Sequence, residues 1–423
     1  MSNETSTQSA PLSRDQLVRF ITDSYKPSKD WKIGFEYEVS GVLPETLKPI
    51  QYTGERSVKH IIDWFRNKYG DNKLVWEDGY CYGLDIPYGR ITLEPGGQIE
   101  FSSYVAAELS EMREQLTSYL TDICTAGAEK DIIFYTAGVE PFHPREERPW
   151  SGKARYKVMR EYLIKQGKLA HHMMQQTMSI QYNIDFSDKQ DALDKYHAAI
   201  AIYPTFQFIT TNSRIYAGEV VDTPFRRTIW EHTDPDRSGL PPKLESLEDY
   251  VEYGLDTPMF LINRGESIPM KTRFTFRQFM EEGYEGHQAT YEDWEFHMST
   301  LFPEVRFKKN ALELRMFDGN PASMMEAMAA VVKGIWYNEE QLKRALTLDW
   351  GEDWDSVKQL YTLASAGLQE DEQLYLHPLT QMLEKKQNPG EHAVEVYEAS
   401  GNDLNVLLQH LRLCPNKFES RTA

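Results

Sequence analysis

The sequence predicts an α+β fold, with a largely antiparallel sheet covered on one face by helices. Alternating strand segments recur along the chain without the regular strand–helix–strand order that builds a parallel sheet. Between them lie amphipathic helical segments. The strongest spans 106–126, where Leu109, Met112, Leu116, Leu120 and Ile123 recur at helical spacing. A further observation marks the sheet as unusual. At least four strands place carboxylates, amides or arginine on the face away from the core, which is costly unless ions and ligands sit there.

In chain order, Ser13 to Asp23 reads as a capped helix with Leu17, Phe20 and Ile21 inward. The strand Ile33 to Val39 follows. Its apolar residues Ile33, Phe35, Tyr37 and Val39 alternate with Gly34, Glu36 and Glu38, so the two glutamates project together. Ser57 to Tyr69 reads as a helix, and Tyr80 to Gly89 as a Gly- and Tyr-rich turn region. One strand, broken at Pro95-Gly96-Gly97, carries Glu94 and Glu100. Ile132 to Gly138 is a strand and Ala154 to Lys165 a helix. In Met178 to Asp185 the polar face is Ser179, Gln181, Asn183 and Asp185. Lys189 to Tyr203 reads as a helix, Pro224 to Gly239 as an irregular segment dense in Arg, Asp and Trp, and Leu247 to Leu255 as a helix leading into the strand Pro258 to Asn263. A helix at Tyr291 to Leu301 precedes the strand Leu312 to Met316, with Glu313 and Arg315 on its polar side. From about 322 the chain reads as mostly helical. The expected organisation is a disordered tail over 1–12 and a single catalytic domain over 13–423.

The bulk numbers narrow the function. The chain has 423 residues, 40% hydrophobic content and a formal net charge of −19, enough for a real core and adverse to phosphate-backbone binding. Nucleic acid is therefore not an expected partner. No apolar run approaches a membrane span of roughly 20 residues. Three cysteines (Cys81, Cys124, Cys414) suit a reducing compartment better than a disulfide scaffold.

Clustered carboxylates repel unless something positive lies between them, and hard divalent cations are the usual answer. Glu36, Glu38, Glu94, Glu100 and Glu313 are the candidate ligands. Arg315, two residues from Glu313, can clamp a phosphate, and Arg306 and Lys308 are placed to help. Arg226-Arg227 with Trp230 could recognise a carboxylate, or belong with Asp234-Pro235-Asp236-Arg237 to a loop held by local Arg–Asp bridges. Arg155, Tyr156 and Arg160 could bind anions or sit as helix surface charge. His171-His172 has no further His at ligand spacing and reads as structural.

The strings together resemble a known family. Gly34-Phe35-Glu36-Tyr37-Glu38, Leu93-Glu94-Pro95-Gly96-Gly97-Gln98-Ile99-Glu100, Arg155-Tyr156, Gln181-Tyr182-Asn183-Ile184-Asp185, Phe225-Arg226 with Trp230, Phe302-Pro303-Glu304-Val305-Arg306 and Leu312-Glu313-Leu314-Arg315 are similar, in order, to the motifs of plant- and proteobacterial-type glutamate–cysteine ligases. The resemblance implies a glutamine-synthetase-like curved antiparallel sheet forming an open funnel, with helices on its outer face. It implies ATP-dependent joining of the glutamate γ-carboxylate to the cysteine amine through a γ-glutamyl phosphate; another amine acceptor is the alternative. It assigns Glu36, Glu38, Glu94, Glu100 and Glu313, with Gln181 beside them, to two or three Mg²⁺ ions. Arg315, Arg306, Lys308 and Asn183 fall to ATP and its transferring phosphate, and Arg226, Arg155, Arg227 and Trp230 to substrate, with Arg226 and Arg315 catalytic. The cysteines fall outside the matching segments, so no redox switch is expected. With no transit-peptide-like segment in the sequence, a bacterial cytoplasmic enzyme, monomeric or homodimeric, is expected.

Overall fold

The computed structural model describes residues 12–271 and 273–413. Of the tail expected over 1–12, residues 1–11 lie outside the described residues. The main sheet has nine strands: β1 (Ile33–Val42), β2 (Val75–Glu77), β3 (Tyr80–Ile86), β4 (Gly89–Leu93), β5 (Ile99–Ser103), β6 (Ile133–Tyr135), β7 (Ser179–Ile184), β8 (Val305–Lys308) and β9 (Ala311–Asp318). Their order is β8-β9-β7-β1-β5-β4-β3-β2, with β6 paired to the end of β1, and every pairing is antiparallel.

One face of the sheet is the core. Phe35, Tyr37, Val39, Ile99, Phe101, Ile180, Tyr182, Leu314 and Phe317 are all buried. Each is worth roughly 1.5–3 kcal/mol of burial. A one-residue slip would turn them outward, so the core fixes the register. That register in turn sets the opposite face, where Glu38 stands across from Glu100, Glu36 across from Gln181, and Glu313 across from both Asn183 and Arg306. The helices Leu109–Ala128, Lys189–Thr210 and Ala322–Trp336 cover the apolar face. Phe101 stacks on Tyr119 at 4.5 Å, and Phe206 meets Phe317 at 4.9 Å. Two buried tyrosines spend their hydroxyls on carbonyls: Tyr37 Oη donates to Asn320 O at 2.8 Å and Tyr182 Oη to Met325 O at 2.6 Å.

Several expectations change. The region Tyr80 to Gly89 is not a turn but β3 and a tight turn into β4. The Glu94/Glu100 segment is not one interrupted strand. Glu94 N bonds Gln98 O, and Pro95-Gly96-Gly97 turns a hairpin between β4 and β5. The Lys189 helix runs on through Pro204 to Thr210, because its inner face keeps packing on β9 although the proline forfeits a backbone bond. Within the segment read as irregular, Phe225–Glu231 is helical. Beyond Gly351 the chain forms helices at Trp354–Gly367, His377–Lys385, Pro389–Ala399 and Leu404–Leu411. Among the described residues no helix is long and apolar enough to cross a membrane.

Candidate active site

The polar face of the sheet floors a cavity of about 230 Å³. Glu36 and Glu38 from β1, Glu100 from β5, Glu94 from the hairpin corner and Gln181 from β7 line it, as do Arg306, Lys308 and Arg315 from β8 and β9. Arg155, Tyr156 and Met159 reach it from the helix Ala154–Leu163, Met173 and Met174 from the helix Ala170–Gln176, and Trp230 from Phe225–Glu231.

The cavity has an acidic and a basic end. At the acidic end Glu38, Glu94 and Glu100 crowd together. Glu38 is 9% exposed and accepts from Ser179 N at 2.6 Å and Ser179 Oγ at 3.1 Å. Burial, then the Glu94 carboxylate, push it up to about 8. Glu100 accepts from Thr92 Oγ1 at 2.7 Å, and burial together with Glu36, Glu94 and Glu38 holds it well above the usual carboxylate range. Ionising these groups together would create charge that the surrounding side chains do not balance.

The basic end is organised around Glu313, which is fully buried. Arg306 donates to it, Lys308 Nζ lies 2.9 Å from Oε1 and Arg315 Nη1 2.9 Å from Oε2. Burial would raise this carboxyl, but the three cations outweigh it and hold it well below the usual range. Lys308 also bridges to Glu36 Oε1 at 2.9 Å, and Asn183 Nδ2 donates to the same oxygen at 3.3 Å. A β-bulge between Leu314 and Phe317 re-aims Arg315, whose Nη1 also donates to Gln181 Oε1.

Trp230 stands in the cavity wall, with the guanidinium carbons of Arg226 and Arg315 at 5.7 and 5.8 Å from its ring. Arg226 is 1% exposed and donates Nη2 to Arg315 O at 3.0 Å, while its Nε and Nη1 and the Trp230 Nε1 have no hydrogen-bond partner. A buried donor without a partner costs about 1–3 kcal/mol, so this group of N–H donors fits an anionic ligand.

Not every expected residue joins the site. Arg227 does not: it pairs with Glu231 at 3.0 Å and Glu352 at 2.6 Å, on the outside. The physical reason is helical phase. Neighbours on a helix lie about 100° apart, so only Arg226 faces inward, with Trp230 one turn on. Glu313 and Asn183 lie in the sheet floor and Arg226 is buried beside Trp230; none of the three lines the cavity. Glu313 would have to release Lys308 or Arg315 to take a metal. Arg237 and Asp234 form a fully buried pair at 2.7 Å that braces the Pro258 carbonyl, so this motif holds a loop. Arg160 lies over Trp150 at 4.4 Å, away from the cavity. Cys81 Sγ contacts Gly83 O and Cys124 Sγ contacts Leu413 O, both remote from the cavity; Cys414 lies outside the described residues. The sequence reading gave no role to Met159, Met173 and Met174. The i, i+4 step from Arg155 to Met159 was the available signal.

The residues fit Mg²⁺. Among the described residues no three His, Cys, Asp or Glu side chains make a cage by themselves. Mg²⁺ is ordinarily held by one or two carboxylates plus water and substrate phosphates, which suits crowded carboxylates facing a cluster of phosphate-type cations.

Gly96 locks the acidic corner. A Cβ there would stand 2.2 Å from the Gln175 carbonyl oxygen. Gly96→Ala is expected to cost about 1–3 kcal/mol of stability, the usual range for overpacking, and to displace Glu94. Thermal melting and divalent-ion titration check this; a variant melting with wild type and binding ions equally would contradict it.

The family model for glutamate-cysteine ligase family 2 (GCS2) matches residues 32–396. The chain belongs to this family. Among curated relatives, glutamate–cysteine ligase A, chloroplastic, of Oryza sativa subsp. indica is 35% identical over 350 residues, covering 80% of this chain and 70% of the relative. The chloroplastic glutamate–cysteine ligase of Arabidopsis thaliana is 33% identical, covering 80% of this chain and 66% of that one. The crystal structure of glutamate–cysteine ligase from Francisella tularensis in complex with AMP shares the fold, with a TM-score of 0.59 at 12% identity, over 93% of this chain and 89% of that one. The expected cytoplasmic setting is corrected by these relatives, whose names place them in the chloroplast. This GCS2 protein is thus an enzyme of the ligase class.

Proposed function

We propose that this protein joins the γ-carboxylate of L-glutamate to the amine of L-cysteine at the expense of ATP, giving γ-glutamylcysteine, ADP and phosphate. The observation that carries the reading is one cavity with carboxylates crowded at one end, phosphate-type cations at the other, and Trp230 in its wall with the unpartnered donors of the buried Arg226 beside that ring. The names of the relatives agree.

In this reading Glu36, Glu38, Glu94 and Glu100, with Gln181 beside them and Glu313 once Lys308 turns to phosphate, hold two or three Mg²⁺ ions, which when bound neutralise the ATP phosphates. Arg315, Arg306 and Lys308 stabilise the γ-phosphoryl group as it passes from ADP to a glutamate γ-carboxylate oxygen, and Asn183 would serve the nucleotide from the sheet floor. Arg226 and Trp230, with Arg155 at the rim, hold the substrate carboxylate. The cysteine nitrogen then attacks the acyl carbon, phosphate leaves, and the amine proton goes to phosphate or water. Met159, Met173 and Met174 offer a polarizable wall to a thiol side chain. Fixed charges and position supply the rate. The site draws residues from Glu36 to Arg315, which supports reading 13–423 as one catalytic domain around a funnel-like sheet.

The test is phosphate release from Mg-ATP and L-glutamate against a panel of amines. Release dependent on cysteine, with γ-glutamylcysteine found by mass spectrometry, is the expected result. Release with a different amine alone would replace the acceptor, and release with none would overturn the proposal.

A further inference from the structure

Lys153 is a buried ammonium that none of the roles above uses. It is 9% exposed, and its Nζ donates to the Leu93 carbonyl at 3.2 Å. The rings of Tyr82 and Tyr156 each lie 5.1 Å from Nζ. Burying an ammonium costs several kcal/mol unless it is paired, and here the answering charges are Glu94, Glu100 and Glu77 at longer range, with Arg155 acting against them. Its two neighbourhoods are the two halves of the cavity. Leu93 immediately precedes Glu94, at the corner of the β4–β5 hairpin. Tyr156 lines the substrate side, on a helix that begins at the residue after Lys153.

Other ties on this corner are neutral. Ser151 N donates to Pro95 O at 2.8 Å, Tyr52 Oη donates to Glu94 O, and Gly96 sits against Gln175. Lys153 is the cation in this set. A lysine serving only to fill the core would be better replaced by a methionine, at no desolvation cost, so keeping the charge asks for a reason.

We propose that Lys153 is a positioning residue that ties the corner bearing Glu94 to the helix bearing Arg155, Tyr156 and Met159, and so sets the spacing between the cation side and the substrate side of the cavity. This rests on the ligase reading. It acts through the Leu93 carbonyl and the Tyr156 ring and touches no reacting atom. Outer residues that orient metal ligands typically account for about 10–100-fold in metal affinity or activity.

The experiment uses the full chain and Mn²⁺ as the probe. Mn²⁺ binding to metal-free protein is followed by electron paramagnetic resonance for wild type, Lys153→Met and Lys153→Arg, beside melting curves and steady-state rates. Lys153→Met keeps the stem and removes the charge. The expected result is Mn²⁺ affinity lowered about 10–100-fold, kcat lowered more than the ATP KM is raised, melting close to wild type, and partial restoration of Mn²⁺ affinity in Lys153→Arg. Mn²⁺ affinity within about twofold of wild type in folded Lys153→Met would overturn the proposal, as would absence of Mn²⁺ binding in wild type or a loss of rate that merely tracks a loss of folded protein. Wild type that binds Mn²⁺ but turns over no amine would overturn the ligase reading, while the Mn²⁺ comparison would still decide for or against Lys153.

Discussion

Glu100→Gln is expected to depress ATP turnover strongly while making the metal-free protein more stable. Glu100 faces Glu38 across the β1–β5 pair and shares the acidic end with Glu36 and Glu94, with burial and those three charges raising its carboxyl. The amide keeps the acceptor for Thr92 Oγ1, which now bonds Glu100 at 2.7 Å. Nothing structural is lost and one repelling charge is removed. A gain of about 0.5–2 kcal/mol is expected, the usual size for such charge optimisation. Its pH dependence follows from sign. A carboxyl raised in the folded state contributes stability that is present below its unfolded value and lost as pH rises, so the variant's advantage should be small near pH 4 and larger at pH 8. Activity should fall about 10²–10³-fold, as when one electrostatic group is removed from a catalytic site. Mg²⁺ should raise the melting temperature of wild type more than that of the variant. Melting curves in chelator and in Mg²⁺, beside phosphate release, decide the matter; equal melting and full turnover would remove Glu100 from the site.

Much of this arrangement was legible in the sequence because strand alternation has a period of two and is enforced by the core. Phe35, Tyr37 and Val39 are driven inward, and Glu36 and Glu38 are left on the other face with no further information needed. The same logic found Glu100, Gln181 and Arg315. It failed where geometry is set by tertiary contacts. The hairpin at Glu94 was read as an interrupted strand, since Pro95-Gly96-Gly97 signals a break but not which way the chain turns. Arg226 and Arg227 were treated as a pair because the helix Phe225–Glu231 was not recognised, and without its phase neither could be preferred. Glu313 looked like a fifth member of the acidic set, because the cross-strand partner Arg306 and the neighbour Lys308 come from a strand, β8, that the sequence did not announce. The methionines are apolar at apolar positions, so only the fold shows that they face a cavity.

Arg226→Lys is expected to raise the KM for glutamate far more than the KM for ATP. The guanidinium is fixed by its Nη2 bond to the Arg315 carbonyl at 3.0 Å, and Asp318 Oδ1 lies 3.9 Å from Nη1. Its Nε and Nη1 have no hydrogen-bond partner. Lysine keeps the charge but not the planar fork that grips a carboxylate by two bonds. Loss of one charge-assisted bond, worth about 1.5–3 kcal/mol, corresponds to about 10–150-fold in KM. Arg226→Ala should behave differently. Asp318 and Glu304 are both buried and raised by burial, with Arg226 the foremost charge opposing that rise. Removing it leaves them without that compensation, so the alanine variant should lose stability where the lysine variant does not. Steady-state kinetics with each substrate varied, beside urea unfolding of both variants, separates the two effects. A rise confined to the ATP KM would instead place Arg226 with Arg315 on the phosphate side of the cavity.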